Sequence, residues 1–348
     1  MMRKGISITE LARQVQEQSQ QKLDIVTDTR KMRLIDGTDK TKPLLIIDGM
    51  EERAFQINEY AHGQLAAKTL IPKKFYDRIR SKYPYVYKTC VNSILITENE
   101  RRMIRIMGDT MRAMLSDRYR RLDNDALLAH GILPILANNE LNVPYEVASA
   151  NVTEQSLYLA IGVPSLRAEV RPGDEVHAGF VIKNSEVGAS SLGVYPFFTR
   201  LVCTNGMIMT SMGKRKFHVG RTLDDESMEI FSQETIKADD KAFFMKVRDM
   251  VRACIEPDGF NNMVSAMRSA AEQKVEVDDA PKILEQKFNV IKFEAEKIQT
   301  IMEMNMERDG SNVWSLANAV TQYAGQIEDY DRSMELLSVG GRIVAEAV

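Results

Sequence analysis

Cysteine is scarce. Cys90, Cys203 and Cys254 stand far apart among 348 residues with no paired spacing, which excludes a disulfide framework and a zinc knuckle. They read as reduced and mostly buried. No apolar run approaches the roughly 20 residues that cross a bilayer. The opening residues, MMRKGISITELARQ, also lack the apolar stretch of a secretory signal. A cytoplasmic protein with no membrane partner is the expectation.

Catalytic signatures are missing too. Six residues separate Gly206 from Gly213 where a phosphate-binding loop has four, and Arg215 stands where that loop needs Ser or Thr to hold magnesium. A nucleotide triphosphatase is excluded. Cys203 with His218 suggests a thiol and its base, but a cysteine in an apolar strand with nothing nearby to lower its pKa reads as inert core. Asp174, Glu175 and His177 suggest a metal-dependent nuclease as a minor alternative. Against it, adjacent acids on a strand point to opposite faces, and no second carboxylate motif joins them. Asp123, Asn124 and Asp125 read as the cap of the following helix. The sequence thus predicts a protein that is not an enzyme, with no catalytic residue, no metal and no cofactor.

What is present is a foldable chain with a divided charge. It is 44% hydrophobic and 27% charged, enough for a sizeable core in one large domain with a helical annex, or in two domains. The net charge of −3 conceals 32 Lys and Arg against 24 Asp and Glu up to residue 221, then 14 against 25. A basic body followed by an acidic part suits a protein that handles nucleic acid, although two ordinarily solvated surfaces give the same counts.

Periodicity sketches the elements. Residues 9–23 form a polar, Gln-rich helix whose apolar stripe, Leu11 and Val15, is too thin to hold it firmly to a core; a loose terminus or an arm on a neighbouring subunit follows. Residues 44–47 read as a strand, 51–68 as a helix, and Pro72 as the start of another. In residues 81–89, Tyr83, Tyr85 and Tyr87 alternate, so an extended segment places three rings on one face between Lys82 and Lys88. That face is either a half-buried strand or a stacking platform for single-stranded nucleic acid. Residues 101–121 carry Arg101, Arg102, Arg105, Arg112, Arg118, Arg120 and Arg121 against Asp109 and Asp117. The arginine fork suits phosphate, and a solvated face of local ion pairs is the rival. Strands are expected at 145–148, 157–161 and 176–182, punctuated by Pro164 and Pro172-Gly173. Beyond residue 221 the pattern is helical. Leu284, Phe288, Ile291, Ala295, Ile298 and Met302 are spaced as a heptad seam, either packed on the body or paired between subunits.

Four segments carry a resemblance: PKKFYDRI (72–79), SDRYRRLDN (116–124), FVIKNSEVGASSLGVYPFFTRLVCTNGM (180–207) and SNVWSLANAVTQYA (311–324). In this order they resemble a family of phage- and plasmid-like proteins, a bacterial and phage domain of unknown function, from the mid-fifties to the late 320s. That family in turn resembles, more distantly, the single-strand annealing proteins typified by RecT, Red-beta, Erf and the Rad-type annealing protein. The resemblance implies a small antiparallel sheet backed by a helix, assembly into rings or filaments, and work inside a bacterial host cell.

The combined expectation is an α+β protein: an N-terminal arm (1–23), a basic sheet-based body (24–221) and an acidic helical region (222–348). It binds single-stranded DNA and anneals strands without ATP in phage or mobile-element recombination. The named arginines, with Lys214, Arg215 and Lys216, hold phosphates while Tyr83, Tyr85 and Tyr87 stack on bases. Partners are single-stranded DNA, further copies of the chain, and a phage exonuclease or host single-strand binding protein. The alternative is a phage or plasmid protein that binds a host or defence protein and makes no nucleic-acid contact.

Overall fold

The structure, a computed structural model, describes residues 5–37, 39, 42–50, 52–119, 121–137, 143–210 and 233–347. Helix α1 (Ile8–Gln20) starts where the Ser7 side chain accepts from the Glu10 amide. The next strands are β1 (Lys22–Asp28), β2 (Met32–Ile35), β3 (Leu44–Ile47) and β4 (Gln56–Ile57). Helices α2 (Glu59–Lys68), α3 (Lys73–Lys82) and α4 (Pro84–Glu98) follow, then β5 (Arg101–Met107) and β6 (Thr110–Ser116). A four-stranded sheet of order β1-β5-β6-β4 results, antiparallel except for the β4–β6 pair, with β2 and β3 as a separate ribbon.

Strand alternation assigns the faces of this first sheet. Ile104, Ile106 and Met114 join Tyr76, Ile79, Tyr87, Val91 and Leu95 in a core under α2, α3 and α4. The intervening Met103, Ala113 and Leu115 face the other way and pack on Val187. The same alternation sends Arg105 to that second side, where it is 0% exposed.

The segment from residue 124 is helical in three registers: α5 (Asn124–Ala126), a π-helical turn (Leu127–Ile132) and α6 (Leu133–Ala137). A second, five-stranded antiparallel sheet then forms from β7 (Glu146–Val152), β8 (Leu157–Arg171), β9 (Asp174–Asn184), β10 (Gly193–Arg200) and β11 (Asn205–Ile208), in order β11-β10-β9-β8-β7. Residues 157–163 are continuously buried because both faces are covered. Pro164 does not end β8. The pairing slips between Val163 and Arg167, a bulge that accommodates a residue without an amide proton.

Helices α7 (Gln233–Cys254), α8 (Pro257–Glu272), α9 (Ala280–Phe288), α10 (Lys292–Met304), α11 (Met306–Asp309), α12 (Val313–Ala324) and α13 (Tyr330–Glu346) complete the chain. Tyr158, Ala160, Ala178 and Phe198 pack with Trp314, Val320 and Leu337 on one face of the second sheet. Leu157, Leu159, Ile161, Phe180 and Ile182 pack with Leu11, Val15, Phe243, Val247 and Val251 on the other. Helices from beyond residue 222 therefore cover both faces of the sheet and share its cores. Helix α13 lies so close to β11 that a Cβ on Gly341 would run into the Ile208 backbone.

Several local expectations are corrected. The helix expected over 51–68 begins only at Glu59, where the Asn58 side chain caps it, because Gln56 and Ile57 pair with β6 as a strand. Leu11 and Val15 are fully buried, and Ile6 donates to the Ala150 carbonyl at 2.8 Å, so α1 is fixed to the second sheet. Residues 84–89 are helical: Pro84 sets the first position of α4, and Tyr87, Val91 and Leu95 repeat at helical spacing along its buried face. The three tyrosines consequently share no face. Finally, the heptad seam is broken between α9 and α10, where Asn289 takes φ 55° and Ile291 is exposed. Its other members enter the core beside the second sheet.

Candidate nucleic-acid interface

Two of the four segments that carry the family resemblance meet where the two sheets touch. Arg105 on β5 donates to both carboxylate oxygens of Asp24 on β1 at 2.9 and 3.0 Å, to Asp123 at 2.5 Å and to the Glu186 carbonyl at 2.8 Å. Burial disfavours its charge, but Asp123 and Asp24 outweigh that cost and hold its pKa above the ordinary arginine value. Glu186, from the turn after β9, binds Lys22 at 2.5 Å and Arg112 at 2.7 Å, and accepts the Asn124 amide at 2.7 Å. Here too burial works against the charge, and Arg112 and Lys22 overcome it, keeping the carboxyl below its usual range. Tyr119 donates to the Ser185 carbonyl at 3.0 Å, and Asn184 to the Leu122 carbonyl at 2.9 Å. The SDRYRRLDN and KNSEV stretches are thus two halves of one buried polar joint.

Above this joint opens a cleft of about 910 Å³, walled by Arg121, His130, Lys241, Phe244, Met245 and Arg248 among others. Arg121 is half exposed, and its Nε stands 3.4 Å from Asp24, which orients it from below. His130 lies in the π-helical turn, a rare geometry that recurs at functional positions. Its ring is 5.8 Å from that of Phe244, and its carbonyl accepts from Arg248 at 3.2 Å. The apolar side is supplied by Phe244 and Met245, the basic side by Arg121, Lys241 and Arg248. Such a surface accommodates anionic groups beside flat apolar ones.

The sequence-predicted residues divide sharply. Arg118 and Arg121 are exposed near the cleft segment, and Arg101 is exposed at the start of β5. Arg102 is largely covered and pairs with Glu100. Arg105 and Arg112 are buried and neutralised by carboxylates, so they cannot grip phosphate, and their part is to join the sheets. Tyr83 and Tyr85 are exposed, whereas Tyr87 is fully buried against Tyr76 and is removed from the stacking set. Arg120, Lys214, Arg215 and Lys216 lie outside the described residues, as does His218.

The nuclease triad is accounted for differently. Asp174 is buried, held by Arg200 at 2.5 and 2.8 Å and by the Trp314 indole at 2.9 Å, while Glu175 bonds His177 at 2.8 Å. Among the described residues, no group of three His, Cys, Asp or Glu is gathered to hold a metal ion, and no helix is long and apolar enough to cross a membrane. Sequence reasoning missed His130, Lys241, Phe244 and Arg248. The only signal for the α7 residues is spacing, since Lys241, Phe244, Met245 and Arg248 fall at i, i+3, i+4 and i+7, and that pattern does not reveal which face meets the π-helical turn.

No curated protein and no solved structure matches the chain. The family model that does match covers residues 113–335, from within β6 to within α13, and so includes every residue named above as walling the cleft but leaves out PKKFYDRI and most of the first sheet. The chain belongs to the family described as a domain of unknown function, DUF932.

Proposed function

We propose that the protein binds single-stranded DNA through the cleft between the π-helical turn and α7, and that it anneals complementary strands without ATP. One observation carries this reading: a cleft of about 910 Å³ sets Arg121, Lys241 and Arg248 beside Phe244, Met245 and the His130 ring. A single strand presents phosphates and bare base faces together, and both halves of this surface find a counterpart in it. Duplex DNA hides its base faces, so the apolar wall favours the single strand. Annealing needs bases left free to pair, which a grip on the backbone with a shallow apolar contact permits.

The test is fluorescence anisotropy of a labelled single-stranded oligonucleotide at low and moderate salt, followed by mixing of complementary strands. Binding that weakens steeply as salt rises, and pairing accelerated without ATP, are the expected results. Absence of binding at low salt overturns the reading. A second reading, capture of a host or defence protein, rests on Phe75, Tyr83 and Tyr85, which are 51, 49 and 76% exposed on α3 and the start of α4. In that case alanine at these three positions abolishes partner capture, and the parent shows no oligonucleotide binding at low salt.

A further inference from the structure

A second cleft, of about 680 Å³, lies on the first sheet beside α2 and α3, where Gln56, Ile57, Glu59, His62, Arg80 and Ser81 contribute to its wall. It falls outside the family-matched residues, and the DNA reading makes no use of it. His62 is only 7% exposed. Its Nδ1 stands 2.9 Å from the Tyr76 hydroxyl, which stands 2.8 Å from that of Tyr87, and the Tyr87 oxygen is 3.4 Å from the same Nδ1.

The proton positions follow from counting donors. If Nδ1 carried the imidazole proton, one of the two buried tyrosine hydroxyls would have no acceptor for its own. With Nδ1 as acceptor, Tyr87 donates to Tyr76 and Tyr76 to the ring, and nothing is wasted. The imidazole proton therefore sits on Nε2, which has no partner among the described residues. Burial, with the charge of Arg80, pushes the His62 pKa down to about 4, so the ring is a neutral donor at pH 7.

Arg80 supplies the second half. Its two terminal nitrogens each donate at 2.8 Å to one oxygen of Glu59, whose side chain is 76% exposed. A two-oxygen group already occupies the fork, and because its carboxylate is largely exposed a ligand displaces it at little cost. We propose that this cleft binds a small organic carboxylate, which replaces Glu59 on the Arg80 guanidinium and accepts the Nε2 proton of His62. The volume is in the range of small-molecule sites. A singly charged planar group fits better than a phosphate dianion, because Asp39 and Glu59 stand in the wall with Lys42 and Arg80.

The experiment titrates the full chain with acetate, succinate, benzoate and inorganic phosphate, and follows the ¹⁵N resonance of His62 Nε2. At least one carboxylate shifts it saturably. Arg80→Lys keeps the charge but loses the fork and weakens the titration, Arg80→Gln removes it, and circular dichroism checks that both variants fold. Glu59→Gln removes the internal competitor and tightens binding by up to about fivefold, the most that an exposed ion pair typically holds back. The proposal is overturned if no carboxylate moves the resonance, if phosphate alone does, if Arg80→Gln titrates as the parent does, or if Glu59→Gln weakens binding. None of these outcomes depends on DNA binding.

Discussion

Two buried arginines, Arg105 and Arg200, hold the molecule together in the same way and differ in what surrounds them. Each guanidinium lies between two carboxylates: Asp24 and Asp123 for Arg105, Asp174 and Asp309 for Arg200. Each group so formed carries one negative charge too many. At Arg200 the balance comes from Arg308, 2.9 Å from Asp309, while Arg171 donates to the Asp309 carbonyl at 3.0 Å and Trp314 closes over Asp174. Its two carboxylates are sealed. At Arg105 the balancing charge is Arg121, which reaches from Asp24 to the cleft, and Asp123 remains partly exposed. The same device serves as internal glue in one place and as the floor of a surface in the other.

The largest effect comes from breaking either hub. Removing one partner of a buried ion pair leaves an uncompensated charge and costs about 3 to 5 kcal/mol, so Arg200→Ala and Arg105→Ala both lower the urea midpoint strongly. Their consequences for ligand then separate. At equal folded fraction, Arg200→Ala binds oligonucleotide as the parent does, whereas Arg105→Ala binds more weakly because unpaired Asp24 and Asp123 draw Arg121 down from the cleft. Equal affinities for the two variants would erase the distinction between the hubs.

A third buried polar cluster sharpens the comparison, because it is held by hydrogen bonds to a neutral ring. His62 has its pKa lowered to about 4 by burial and by Arg80, with Lys73 acting in the same direction and Glu59 and Asp77 opposing. Between about pH 6.5 and 4 the unfolded chain takes up a proton that the folded ring refuses. Stability therefore falls as pH drops through that window, by up to about 3 kcal/mol, and is insensitive to this group above it. Urea unfolding of the parent and of His62→Gln from pH 7.5 to 4.5 checks the sign, since the variant loses that part of the slope. The Asp309 carboxyl behaves differently. Burial raises its pKa, but Arg308 and Arg200 outweigh burial and hold it far below the usual range, so its contribution persists until the solution is much more acidic.

How much of this was legible in the sequence depends on the range of the interaction. The strand at 176–182 and the buried face of Trp314, Ala317, Val320 and Ala324 follow from local periodicity, and both are present. The α4 segment carries two local signals: the tyrosine alternation suits a strand, while Pro84 and the four-residue repeat of Tyr87, Val91 and Leu95 suit a helix, and the helix forms because that repeat buries three apolar side chains on one face. The arginine-rich window was visible as charge, yet nothing within it distinguishes Arg105 from Arg121. That difference arises because Asp24 lies 81 positions away from Arg105 and the turn with Glu186 another 81 beyond it. Composition records how many charges there are, and only the fold says which of them meet water.

The smallest expected effect is also the most local. Among the described residues Arg121 has one carboxylate, at 3.4 Å, and its half-exposed side chain stands in the cleft wall. Losing one charged contact to phosphate weakens oligonucleotide binding roughly tenfold, about 1.4 kcal/mol. Because Arg121→Ala removes one released counterion, it also lowers the slope of log affinity against log salt by about one. Arg101→Ala is the matched control: the same charge is lost from an exposed position on the same β5 that carries Arg105, and Arg101 is not among the residues that wall the cleft. A change in slope for Arg121 and none for Arg101 assigns the contact to the cleft. Equal changes in both would spread it along the whole basic face, and the hub beneath Arg121 would then have no special part in binding.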